Sequence, residues 1–262
     1  MLKQRVVTAA VGIIIVIALI AWGYIPWRVT VWLATLLCAA EFTMMLGERW
    51  YRPLAVFNYA VVSLIEWWSG WHTLWVLQIM VAVTLLLPVL TRNRVTLAQA
   101  ASSWVGALYI GYGGQSLAAL RGLADGWLWL WLLLIGIWMT DTCAYVIGRR
   151  VGGPKLWPAI SPAKTVSGAV AGVIGAIVGV LVFAWLVHPT QHMWAYVILG
   201  AAISVAGQLG DLIESAYKRT AGVKDSGRLL PGHGGLLDRV DSLIFAAPFA
   251  LLLVSRLPHW FH

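Results

Sequence analysis

Apolar segments about 20 residues long recur along the whole of this chain, and each is the length a helix needs to cross a bilayer. Such a sequence can fold only as a bundle of helices in lipid or as a core far larger than 262 residues could enclose. Charged residues make up 11% of the chain, against about a quarter in soluble domains. The expected fold class is therefore all-α, a polytopic integral membrane protein. Nine spans are predicted, at roughly 6–25, 28–46, 54–69, 72–90, 96–114, 125–148, 166–187, 193–210 and 240–257. Lys3 and Arg5 ahead of an apolar run resemble a secretory leader, but the run continues without a polar cleavage region, as a retained first span would. No polar linker divides the chain, so residues 1–262 are expected to form one membrane-embedded domain.

Orientation follows from the bases. With the N-terminus inside and nine alternating spans, all but Arg28, Arg121 and Arg256 of the eighteen lysines and arginines fall on the cytoplasmic side. The C-terminus is then outside, and the two long connections, 149–165 and 211–239, are both cytoplasmic. The net charge of +8 is explained by this bias and does not call for nucleic acid as a partner. Trp22, Trp27, Trp50, Trp67, Trp68, Trp71, Trp127 and Trp194 lie near span ends, where interfacial anchors belong. Cys38 and Cys143 sit in apolar surroundings without metal-ligand spacing. Gly168, Gly172, Gly175 and Gly179 form a stripe in the seventh span, which permits close packing within the chain or at a dimer seam.

The polar chemistry is concentrated in three places. If the eighth span continues as helix past Gly210, then Asp211, Glu214, Ser215 and Lys218 share one face. That face suits a hard divalent cation bound through oxygen, or an ordinary ion pair between Glu214 and Lys218. Asp238 and Asp241 stand three apart at the start of the ninth span, where negative charge favours a helix N-terminus. Asp141 lies near the cytoplasmic end of the sixth span, and an acid so close to hydrocarbon is a functional candidate. Carboxylates gathered from three spans at one membrane face would repel each other without a cation. Between them, Lys224, Asp225, Arg228, His233, Gly234 and Gly235 combine charge with glycines that let serial amides cradle phosphate. Arg149, Arg150, Gly152, Gly153, Lys155, Ser161, Lys164 and Thr165 repeat that theme in the other loop. Glu41 and Glu66 fall within apolar spans, where they either bond between helices or line a polar route.

The run from Ser215 through Lys218 and Arg219 to Lys224 and Asp225, followed by Pro231, Gly232, His233, Gly234, Gly235, Asp238, Arg239 and Asp241, resembles the signature of phosphatidate cytidylyltransferases, or CDP-diacylglycerol synthases. Gly210-Asp211-Leu212-Ile213-Glu214 and Asp141 to Tyr145 are similar to that family too. The likeness covers the C-terminal half, residues 135–262, whereas spans within 1–134 are generic. The family's usual Ser-Pro-Lys-Lys-Thr-Trp-Glu-Gly appears here as Ser161 to Gly168, with Ala163, Val166 and Ser167 replacing lysine, tryptophan and glutamate.

The resemblance implies transfer of CMP from CTP to phosphatidic acid at the inner face of a bacterial cytoplasmic membrane, by a homodimer. It implies magnesium, alone or with a second cation, on Asp211, Asp238 and Asp141. Glu214, Lys218 and Asp241 complete the catalytic group. Ser161, Lys164, Thr165, Ser215, Arg219, Lys224, Asp225, Arg228 and Arg239 face the nucleotide or lipid headgroup, and His233, Gly234 and Gly235 shape the turn before Asp238. The altered Ser161–Gly168 loop motivates a different acceptor, another lipid phosphate, or a member that has lost activity. The intramembrane acids motivate a third reading, a transporter, although the two halves carry no convincing repeat.

Overall fold

In a computed structural model, residues 2–67, 73–187, 192–229, 232 and 234–261 are described. They form nine α-helices: α1 (Leu2–Trp22), α2 (Tyr24–Met45), α3 (Pro53–Trp67), α4 (Thr73–Leu90), α5 (Leu97–Gly122), α6 (Gly126–Val151), α7 (Val166–Val187), α8 (Met193–Thr220) and α9 (Leu237–Arg256). Each lies where an apolar run was predicted. By length and composition, α2, α6, α7 and α8 can cross a membrane, and shorter apolar helical stretches occupy Val11–Trp22, Pro53–Trp67 and Leu77–Leu90. The chain is thus an all-α membrane protein in its main architecture. Helix α5 carries Gln99, Ser102, Ser103, Gln115 and Ser116 along its length, and α9 opens on Asp238, Arg239 and Asp241. That polarity separates these two from the four long apolar helices.

The connection after α6 contains structure that its sequence concealed. Strands β1 (Lys155–Trp157) and β2 (Ser161–Thr165) pair antiparallel, Lys155 opposite Thr165 and Trp157 opposite Ser161, with an irregularity between. Proline at 154, 158 and 162 makes this stretch read as loop, but strands this short accommodate proline at their ends and edges. Gly152 and Gly153, at φ 65° and 100°, turn the chain out of α6 through conformations that other residues resist.

The helices group into two compact units, Met1–Ala118 with Thr220–Arg239, and Ala119–Arg219 with Val240–His262. In the first unit, several buried polar side chains bond to one another. Ser103 donates to Asn58 Oδ1 at 2.7 Å, Asn58 donates to Thr43 Oγ1 at 2.8 Å, and Thr43 donates to the Ala39 carbonyl at 2.7 Å. Glu66 accepts from Thr35 at 3.3 Å, and Arg28 donates to the Glu66 carbonyl at 2.8 Å while stacking on Trp67. Glu66 therefore bonds between α2 and α3, the first of the two roles its position allowed. Trp27 differs from expectation. It is buried, and its indole N–H donates to the Leu117 carbonyl at 3.0 Å, so it packs the core and does not anchor an interface. Trp22, Trp50, Trp67, Trp127 and Trp194 are exposed as anchors would be. Trp68 and Trp71 lie outside the described residues.

In the second unit, α7 packs along α6 through its glycine stripe. A Cβ at Gly168 would stand 2.8 Å from the Ala144 carbonyl oxygen, at Gly172 3.1 Å from Thr140, at Gly175 2.4 Å from Cys143 Sγ and at Gly179 2.6 Å from Met139. All four glycines thus face the neighbouring helix of the same chain, and the stripe serves internal packing. Helix α8 meets α9 in the same manner, since a Cβ at Gly210 would lie 2.7 Å from the Asp241 carbonyl oxygen. Replacing Gly175 by alanine forces a backbone or side-chain shift costing about 1–3 kcal/mol. The expected result is a lower denaturation midpoint for the detergent-solubilised Gly175→Ala protein, while Gly12→Ala, where a Cβ meets nothing within 4 Å, leaves the midpoint unchanged or higher.

Candidate active site

Helix α8 carries most of the candidate residues because it does not stop where its apolar run ends. Beyond Gly210, good helix formers continue, and Glu214 pairs with Lys218 one turn on. The helix reaches Thr220 and ends before Gly222, at φ 69°. The predicted shared face of Asp211, Glu214, Ser215 and Lys218 is therefore present. On it, Ser215 donates to Asp211 Oδ1 at 3.3 Å. The Glu214–Lys218 ion pair, one of the two readings of that face, is formed with Glu214 almost wholly buried.

A pocket of about 720 Å³ opens beside this helix. Asp141, Tyr145 and Arg149 reach it from α6, Gly168 and Ala169 from the start of α7, and Gln208 and Asp211 from α8. The hairpin supplies Lys155, Leu156, Ala163, Lys164 and Thr165. Three helices long enough to span a membrane thus contribute to one pocket, which lies at the end where α6 leaves and α7 returns. Lys164 Nζ stands 2.6 Å from Asp211 Oδ2, both side chains half-buried. Asp241, buried on α9, lies within electrostatic reach of Asp211, Lys218 and Asp141. The geometry combines carboxylates and ammonium groups in one concave site, a constitution that binds anions and can hold a hard cation between them.

Secondary contacts fix the pocket wall. The Thr165 hydroxyl accepts from the Gly168 amide at 3.1 Å and bonds with Ser167 Oγ at 3.1 Å, and Ser167 donates to the Gly152 carbonyl. Ser167, one of the departures from the family pattern, thereby ties the glycine turn to the start of α7. Arg219 donates to the Ile160 carbonyl at 3.3 Å, fastening the hairpin tip to the end of α8. Ser161 is half-buried in β2, opposite Trp157.

The remaining candidates belong to the other unit. Asp238, in the first turn of α9, accepts through Oδ2 from the amides of Ser226 and Gly235, both at 2.9 Å. Lys224, Asp225, Arg228 and Arg239 are exposed, and Gly234 adopts φ 82° beside Asp238. His233 lies outside the described residues. Among the described residues, no three His, Cys, Asp or Glu side chains gather as a ready-made metal cage.

Several pocket residues were not singled out individually from the sequence. Lys155 and Arg149 appeared only as loop bases, Gln208 and Thr140 not at all. Gln208 is one turn before Asp211 on α8, so the face argument extended backwards would have found it. Its side-chain N–H donates to the Ala169 carbonyl and to Ser204, both at 3.2 Å, and Thr140 donates to Ser204 at 2.8 Å. These bonds hold α6, α7 and α8 together beneath the pocket.

Comparison with known proteins identifies the family. Residues 3–257 match the profile of the cytidylyltransferase family. Phosphatidate cytidylyltransferase from Staphylococcus haemolyticus (strain JCSC1435) is 32% identical over 262 residues, covering 98% of this chain and all of that enzyme. The enzyme of the same name from Staphylococcus saprophyticus is 33% identical over the same coverage, and that from Staphylococcus aureus (strain COL) 30% identical over 97% of this chain and all of its own length. Likeness extends through the N-terminal helices as well as the motif-bearing half, and on that end-to-end match the chain belongs to the cytidylyltransferase family of enzymes.

Proposed function

We propose that this protein transfers CMP from CTP to phosphatidic acid, forming CDP-diacylglycerol and pyrophosphate at the cytoplasmic face of a bacterial inner membrane. The observation that carries this reading is the full-length likeness to enzymes named for that reaction. The pocket supports it, because bases and carboxylates meet there at the ends of long apolar helices, where a lipid phosphate and a soluble nucleotide can both arrive.

In this reaction an oxygen of the lipid phosphate attacks the α-phosphorus of CTP, a new P–O bond forms, and the bond to pyrophosphate breaks. Phosphate monoesters have a second pKa around 6, so the nucleophile is ionised near neutral pH and needs no strong protein base. The task is alignment of two anions and neutralisation of their charge. Lys164, with Lys155 and Arg149 on the same wall, binds phosphate oxygens. Asp211 holds the Lys164 ammonium in place, and Ser215 orients Asp211. Ser161, Thr165, Arg219, Lys224, Asp225, Arg228, Arg239, His233, Gly234 and Gly235 complete the binding of nucleotide and headgroup. The protein acts as a homodimer.

Magnesium fits this donor set. Mg²⁺ is usually held by one or two carboxylates plus substrate phosphates and water, with no all-protein cage, and Asp141 and Asp211 line the pocket together. Asp211, Asp141 and Asp238 are the proposed ligands, with Glu214, Lys218 and Asp241 supporting them. When bound, the metal supplies charge stabilisation to the reacting phosphates.

A second reading is favoured by one observation. Ala163 lines the pocket at a position where the family pattern has lysine, which removes a positive charge that an acceptor phosphate could use. Purified protein given labelled CTP, magnesium and a panel of lipid phosphates is expected to label phosphatidic acid, with pyrophosphate released in equal amount and EDTA stopping the reaction. Preferential labelling of another lipid phosphate selects the second reading. Lys164→Ala and Asp211→Asn are each expected to lower kcat/KM about a hundredfold or more in protein that still inserts. Asp238→Asn keeps an acceptor oxygen for the Ser226 and Gly235 amides, so its activity reports the charge alone. A loss of the same order is expected, and activity like the wild type excludes Asp238 from the metal.

A further inference from the structure

The structure assigns Glu41 a role in the reaction: we propose that it is a positioning residue that holds the phosphate-binding segment before α9 in its working shape. Glu41 sits on α2, far from the motifs in sequence, and is 3% exposed. A carboxylate in that setting is costly unless its oxygens are satisfied. Its oxygens accept from the Leu236 amide at 2.9 Å, the Leu237 amide at 2.8 Å and the Ser226 hydroxyl at 3.2 Å. Every one of these partners is a donor.

The arrangement caps α9 from another helix. The first amides of a helix have no partner within it, and negative charge is favoured there. Glu41 supplies both for Leu236 and Leu237, while Asp238 binds the amides of Ser226 and Gly235. Ser226 is the hinge of the two sets, since its hydroxyl also accepts from the Asp238 amide at 3.3 Å. The backbone presses on the carboxylate: a Cβ at Gly227 or at Gly235 would lie 2.6 Å from a Glu41 oxygen. Lys224, Asp225, Arg228 and Asp238 are all carried by the segment held in this way.

Glutamine cannot replace this carboxylate. Its amide nitrogen would point a donor at a backbone donor, so at least one of the Leu236 and Leu237 amides loses its acceptor. The inference rests on the CTP:phosphatidate reading for what the segment does, but not for how it is held. Glu41→Gln in the full-length, detergent-solubilised protein is expected to lower kcat/KM about tenfold or more, with KM for CTP raised as well as kcat reduced. Hydrogen exchange is expected to quicken at Ser226 and at Gly235 to Asp238 and to stay unchanged in α6, α7 and α8. Ser226→Ala, which removes only the hydroxyl, is expected to shift both readouts the same way by less. Wild-type exchange in this segment, a loss of protection spread evenly over all helices, or a fall in kcat with KM for CTP unmoved would each overturn the proposal. If the wild-type protein makes no CDP-diacylglycerol, the substrate reading fails, and the exchange measurement alone still decides how the segment is held.

Discussion

The glycine contact between α6 and α7 is the constraint on which the pocket depends. At Gly168, Gly172, Gly175 and Gly179 the helices are close enough that a methyl group would collide with Ala144, Thr140, Cys143 or Met139. In lipid there is no hydrophobic drive to bring helices together, so shape and short-range attraction must do it. The narrow spacing brings the last turns of α6 and the first of α7 together, and the connecting hairpin folds over them. Asp141 and Thr165 line the same pocket as a result.

Burial of charge follows a consistent pattern. Several acids drawn out of water have named partners: Glu41 has amides, Glu66 has Thr35, Glu214 has Lys218 and Asp238 has two amides, while the half-exposed Asp211 has Lys164 and Ser215. These pairs bond elements within a unit, and none requires a continuous polar path through the helices. Glu41 and Glu66, two of the acids that suggested transport, are occupied by such bonds, and the chain belongs to a cytidylyltransferase family.

The sequence made much of this legible. Apolar length located every helix to within a few residues at most ends, because a bilayer demands one element type and one approximate length. The continuation of α8 was predictable from the spacing of Asp211, Glu214 and Lys218. The hairpin was not, since three prolines and three glycines or serines hide short strands behind loop composition. Neither was the Glu41 contact, which joins residues almost two hundred positions apart and leaves no periodic trace in either segment. Trp27 could not be told from an anchor, because a tryptophan near a span end has the same local pattern whether its indole meets a headgroup or the carbonyl of Leu117.

Helix α8 has 28 residues and is therefore about 42 Å long, well beyond the roughly 30 Å of hydrocarbon in a bilayer. Its surplus turns carry Asp211, Ser215 and Lys218 as parts of one stiff rod rooted among the acyl chains. The height of these groups above the fatty tails is then set by how deeply the rod sits, and so by the thickness of the leaflet around it. A membrane that thins or thickens with growth temperature would raise or lower the whole set together.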